Sequence, residues 1–324
     1  MESILKPDPS RFNLFPIKHQ SVYDFYKKAQ KAIWEAEEIP YNADKMDWDN
    51  KLNANERYFI KNVLAFFAGS DGIVLENIMS TFSVEVQWPE ARLFYGLQSY
   101  MEGVHSETYS MLIDTLVTDT IEKEKLFTSI ETIPCIAEKA KWAIKWMNST
   151  TTPFCQRLVG FIIVEGLFFS GSFCAIFWLI SRGLMTKALG KSNELIARDE
   201  GVHVDFGILL YNLLETKCPE LIITKMFRDA VEVEKNFICS SIPNNMLGMN
   251  KNLMATYIEY VADSLLTKLS CPPIYGVECP FNFMNLINMQ GKTNFFEARV
   301  TEYQRPWLVS TMEQRENIDY EGDF

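Results

Sequence analysis

LVGFIIVEGLFFSGSFCAIFWLI, residues 158–180, is the stretch on which the fold turns. It carries a single charge, Glu165. By length and apolarity it could be a membrane-spanning helix. A carboxylate well inside such a span is costly in lipid, and the rest of the chain reads as offering no second span. The other reading is a helix buried on all sides in a bundle, with Glu165 facing something that neutralises it. The remaining sequence favours that second reading.

Working outward from this run, helical periodicity dominates and period-two alternation is scarce. Gly and Pro together number only 28, from 15 and 13. An amphipathic helix is expected over 20–38. Another is expected over 53–82, where Asn53 and Glu56 have the spacing of a capping box. Pro89, Pro134 and Pro153 stand at or just before the starts of helices reaching about 117, 147 and 182. Further helices are expected over 193–214, 219–240 and 248–269. Residues 271–298 begin Pro-rich and read as loop with short helices. Residues 301–324 have no regular period and read as a mobile tail with a docking role at its end.

Composition bounds the function. A net charge of −11, from 31 basic and 42 acidic side chains, argues against a nucleic-acid or anionic-membrane surface. Seven cysteines, none in Cys-x-x-Cys and several inside apolar runs, read as reduced thiols of a cytoplasmic protein rather than as a zinc site. No basic region followed by an apolar core marks the start as a leader. No glycine-rich phosphate loop is visible.

Histidine is the rarest informative residue, with three in the chain: His19, His105 and His203. Two of them share one frame, Glu102-Gly-Val-His105 and Glu200-Gly-Val-His203. Residues three apart on a helix project from one face, so each pair can grip a metal. Dinuclear carboxylate bundles use two such pairs plus one acid from each of two further helices. Asp71, in LAFFAGSDGIVLEN, and Glu165 supply those acids from otherwise apolar helices. Four carboxylates and two imidazoles suit iron or manganese, while zinc prefers fewer ligands and calcium avoids imidazole. Tyr109 follows His105 by one turn. Phe169 and Phe173 follow Glu165 by one and two turns, so an apolar cage around a phenol is expected beside the metals.

The sequence resembles the small, radical-generating subunit of class I ribonucleotide reductase, of the eukaryotic and large-virus type. The resemblance rests on FFAGSDGIVLEN (66–77), EARLFYGLQSYMEGVHSETYSMLIDT (90–115), VEGLFFSGSF (164–173), SNELIARDEGVHVDF (192–206), YIEYVADSL (257–265) and GKTNFFEARVTEYQ (291–304). It implies an all-α fold, a ferritin-like di-iron bundle with additional helices over residues 1–300, and a docking tail over 301–324. It implies two oxo-bridged iron ions, with manganese as the alternative, on Asp71, Glu102, His105, Glu165, Glu200 and His203. It implies a stable radical on Tyr109 inside a pocket containing Phe169 and Phe173. Trp34 and Asp199 match the family's electron relay, and Tyr303 matches the tail tyrosine that hands the radical on. Phe324 ends the segment that docks on the large subunit. The implied partners are that subunit, a second copy of the chain, dioxygen and a reductant, with no nucleic acid and no membrane. An iron-storage or other oxygen-activating bundle would not need Trp34, Asp199, Tyr303 and a docking tail together, and a scaffold subunit that has only kept the fold would not need the complete ligand set and Tyr109.

Overall fold

The computed structural model describes residues 2–147, 151–242 and 249–284. Tyr303, Phe324 and the whole of 301–324 lie outside the described residues. The first compact unit is Met1–Phe281, and the second, Asn282–Phe324, is almost wholly undescribed. Among the described residues the regular elements are helical, with no β-strand.

The principal helices are α1 (Gln20–Gln30), α2 (Ala54–Asn77), α3 (Pro89–Leu116), α4 (Pro134–Met147), α5 (Phe154–Ser181), α6 (Leu189–Leu213), α7 (Glu220–Ser241) and α8 (Lys251–Lys268). Helix α2 lies along α3 and α5 lies along α6, and α3 meets α6 to close the central bundle. Phe94 of α3 stacks on Phe206 of α6 with ring centroids 3.6 Å apart, which fixes that closure.

Local chemistry explains several boundaries. Asn53 Oδ1 accepts from the Glu56 N–H at 3.0 Å, and Glu56 Oε2 accepts from the Asn53 N–H at 2.9 Å. The expected capping box therefore starts α2. Pro89 occupies the first turn of α3. Asn250 caps α8 by accepting from the Leu253 N–H at 3.0 Å.

Three expectations need correction. The helix expected over 20–38 stops at Gln30. The chain turns there because Trp34 enters the core, where it is 1% exposed, and Arg198 Nη2 donates to the Ala32 carbonyl at 2.7 Å. Helix α6 begins at Leu189, ahead of Asn193. Its start is set from afar: the Asp44 carboxylate accepts the N–H groups of Lys187, Ala188 and Leu189 at 3.1, 2.8 and 2.9 Å. Lastly, Phe154–Ser181 does not stand alone as an apolar span, since Ala54–Glu85 is also long and apolar enough to cross a membrane.

The residues of 158–180 behave as core. Of the most apolar window of Phe154–Ser181, 94% is buried inside the protein. Helix α5 is also not uniform: it runs Phe154–Ile163, loosens into one π turn at Val164–Phe168, and resumes at Ser170. Glu165 is the second residue of that π turn, and such single-turn insertions are frequent at functional sites.

Candidate metal centre

Four helices each aim a carboxylate at one point. Asp71 comes from α2, Glu102 with His105 from α3, Glu165 from the π turn of α5, and Glu200 with His203 from α6. None of the six is more than 3% exposed. Their donor atoms form two overlapping groups, each with all atoms within 4.8 Å of one another. One is Glu102, Glu165, Glu200 and His203; the other is Asp71, Glu102 and His105. Glu102 belongs to both, which is the position a bridging ligand would take.

The imidazoles point inward through the same nitrogen. His105 Nδ1 stands 3.0 Å from Glu200 Oε1 and 3.5 Å from Glu102 Oε2. His203 Nδ1 stands 3.1 Å from Glu102 Oε1 and 3.1 Å from Glu200 Oε2. Yet both oxygens of Asp71, both of Glu165, Glu102 Oε2, Glu200 Oε1 and His105 Nδ1 lack a hydrogen-bond partner. Buried orphan acceptors are expensive. So many converging on one spot form a cavity of lone pairs, and two divalent cations would balance the four carboxylates. The residues therefore fit a dinuclear metal site.

Without metal, the cluster holds protons. Burial raises Asp71 well above the usual carboxylate range, and the Glu102 charge adds to it. Burial also raises Glu165, reinforced by Glu200 and Glu102. Burial alone would raise Glu200 too, but Glu165, His203 and His105 outweigh it and hold Glu200 low. His203 is pushed up to about 9: burial opposes its charge, but the Glu102 and Glu200 carboxylates prevail. His105 is raised in the same way, through Asp199, Glu102 and Glu200.

Tyr109 lies beside this cluster, 1% exposed, with no hydrogen-bond partner for its hydroxyl. Burial, then the Asp71, Glu200 and Glu102 charges, keep the phenol firmly protonated. Its ring stacks on Phe67 with centroids 4.4 Å apart and planes 3° from parallel. Phe67 in turn meets Phe173 at 5.0 Å and Phe169 at 5.6 Å. The direct ring contact of Tyr109 is thus Phe67, which the sequence reading missed. It sits four residues before Asp71, and the helical spacing that singled out Tyr109 would have found it.

On the opposite side of His105 runs a polar chain. His105 Nε2 faces Asp199 Oδ2 at 3.3 Å, and the Trp34 indole N–H donates to the same oxygen at 2.7 Å. The Trp34 and His105 rings stack with centroids 6.0 Å apart. Arg198, also not anticipated, binds Asp199 Oδ1 through Nε at 2.9 Å and Nη2 at 2.8 Å. The hydrogen bond to His105, Arg198 and the Trp34 N–H together outweigh burial and hold Asp199 ionised. His19, the third histidine, stacks on Trp88 at 3.5 Å.

Residues 11–280 match the sequence model of the family described as "Ribonucleotide reductase, small chain". The protein is 53% identical over 311 residues to a ribonucleoside-diphosphate reductase small chain of Arabidopsis thaliana, covering 96% of this protein and 93% of that one. It is 54% identical over 305 residues to the ribonucleoside-diphosphate reductase small subunit of Dictyostelium discoideum, covering 94% and 90%. Among solved structures, the ribonucleotide reductase Rnr4 homodimer from Saccharomyces cerevisiae superposes with a TM-score of 0.81 at 35% identity, over 94% of this protein and 93% of that one.

Proposed function

Because this chain belongs to the ribonucleotide reductase small-chain family, and so is the small subunit of a ribonucleoside-diphosphate reductase, we propose that its buried carboxylate–histidine cluster generates a tyrosyl radical on Tyr109. The observation that carries this is the adjacency of a lone-pair cavity for two cations to a dry, unpartnered phenol. Asp71, Glu102, His105, Glu165, Glu200 and His203 would hold two iron ions, or two manganese ions. The metal pair, with dioxygen and an external reductant, would supply the oxidising power.

The protein's own part is positioning, charge and dryness. Tyr109 gives up one electron and its hydroxyl proton, and its unpartnered hydroxyl faces the carboxylate side. Phe67, Phe169 and Phe173 keep water and external reductants from the oxidised ring. Asp199 orients His105 through Nε2, the outer support expected of a metal-binding histidine. The same carboxylate hands the connection to Trp34, so the indole is the natural exit for the radical equivalent. Tyr303, outside the described residues, would carry it onward. The end of the chain at Phe324 would dock on the large subunit, which binds the ribonucleotide and carries its reduction. A second copy of the chain completes the proposed assembly, in the cytoplasm, where its seven free cysteines stay reduced. Deoxyribonucleotide supply for DNA synthesis follows from that reaction.

The test is reconstitution with the large subunit. Ribonucleoside-diphosphate reduction is expected only when both subunits are present. Removing the last several residues is expected to leave the radical intact and abolish turnover. Full turnover by the truncated protein would overturn the docking role, and turnover without this subunit would overturn the proposal.

A further inference from the structure

A buried ion pair outside the metal cluster has no role in the chemistry so far. Lys139 of α4 and Glu234 of α7 are 1% and 0% exposed, with Nζ and Oε2 2.5 Å apart. Burial drags Lys139 down to about 8 and lifts Glu234 to about 7, so the interior disfavours the charged form of each. Stability alone would be served as well by apolar residues of similar volume.

What the pair touches is the break in α5. A π turn displaces the regular backbone bonding of a helix, and the carbonyls it frees need other donors when buried. At this break two carbonyls are taken by side chains. Ser170 Oγ donates to the Leu167 carbonyl at 2.7 Å, and Lys139 Nζ donates to the Phe168 carbonyl at 2.6 Å. Phe168 is the last residue of the π turn whose second residue is Glu165. Glu234 abuts the resumed helix at Gly171, where an added Cβ would stand 2.6 Å from Oε1. The Lys139 ammonium also lies 3.3 Å from the centroid of Phe66, which packs edge-on against Phe169.

We propose that Lys139, held by Glu234, is a positioning residue for the metal site: it ties down the end of the π turn and thereby sets where Glu165 presents its carboxylate. The inference rests on the dinuclear site proposed above, and its experiment separates the two.

The experiment is an anaerobic Mn(II) titration of the full chain, with free Mn(II) read by EPR and folding by circular dichroism. It compares wild type, Lys139→Met and the double variant Lys139→Met/Glu234→Met. In the double variant no unpaired charge is buried, so it is expected to fold, its melting temperature lowered only by the donor the Phe168 carbonyl has lost. Manganese affinity is expected to fall about 10- to 100-fold in both variants, the loss typical when the outer support of a metal ligand is removed. The spin-coupled signal of the two-manganese state is expected to change in both. A double variant that is folded and binds Mn(II) as wild type does would overturn the positioning role and leave the pair as structural. A folded wild-type chain that takes up no Mn(II) and no Fe(II) would overturn the site itself, and this inference with it.

Discussion

The two Glu-x-x-His frames are nearly the same in sequence and different in their surroundings. Around the first the chain reads Met101-Glu102-Gly103-Val104-His105, with Tyr109 one turn on. Around the second it reads Asp199-Glu200-Gly201-Val202-His203, with Gly207 one turn on. The frames supply equivalent ligands from α3 and α6, and the flanking positions divide the remaining work. Tyr109 and the ring stacked on it, Phe67, belong to the first half, while Phe169 and Phe173 of the cage come across from α5. Asp199, which reaches across to His105 and Trp34, belongs to the second. At Gly207 a side chain has no room: a Cβ would stand 2.9 Å from Ile162 Cγ1. The third ligands differ too, since Asp71 stands on a regular helix and Glu165 in a π turn. A near-repeat suited to holding metal thus has a dry phenol beside one frame and a hydrogen-bonded indole beside the other.

The comparison breaks most completely at the shared ligand. Glu102 faces both histidines, so Glu102→Ala is expected to abolish occupancy by both metal ions, lowering uptake by about 100-fold or more in an anaerobic Fe(II) titration. Retention of one tight site would show that the halves load independently. Next in size is the exit. Trp34→Phe keeps an aromatic ring and removes the N–H that binds Asp199, so turnover with the large subunit is expected to fall sharply. Iron uptake and the Tyr109 signal should stay near wild type, and their loss would place Trp34 within the metal-holding half.

A smaller effect separates metal-free from loaded protein as pH changes. The folded value of His203 stands above its unfolded 6.5, so its contribution to the metal-free fold is complete below pH 6.5 and is lost as pH rises through about 9. Asp71 and Glu165 act in the same direction from lower pH, because their folded values are also raised. The metal-free chain is therefore expected to lose about 3 kcal/mol or more between about pH 6 and 9. The loaded chain gains over that range, because metal competes with those protons. Melting curves with and without Mn(II) should diverge as pH rises, and parallel curves would refute the proton inventory. The smallest effect is at the start of α2. Asn53→Ala should cost about 1 kcal/mol of stability while leaving metal affinity unchanged.

Much of this was legible in the sequence because the decisive features are local or chemically conspicuous. Two of three histidines in one frame, and acids inside apolar helices, are rare enough to point at each other. Asn53 and Glu56 announced α2 because their partners lie within four residues. The misses share a different cause, which is control from a distance. Asp44 starts α6 from more than a hundred residues away, and Arg198 and the burial of Trp34 end α1 early. The π turn at Glu165 is satisfied by Lys139 from another helix, and a lysine in the amphipathic α4 reads from sequence as solvent-facing. Phe67 is a different kind of miss: its place one turn before Asp71 was a local signal, passed over among many core phenylalanines.

Two metal ions held by these six residues would supply the oxidising power for a radical on Tyr109. The most direct test is EPR after anaerobic Fe(II) loading followed by dioxygen, on wild type and Tyr109→Phe side by side. Two iron ions per chain are expected in both proteins, with a tyrosyl signal in wild type and none in the variant. A tyrosyl signal that persists in Tyr109→Phe, or its absence from wild type carrying two iron ions, would contradict that role for Tyr109.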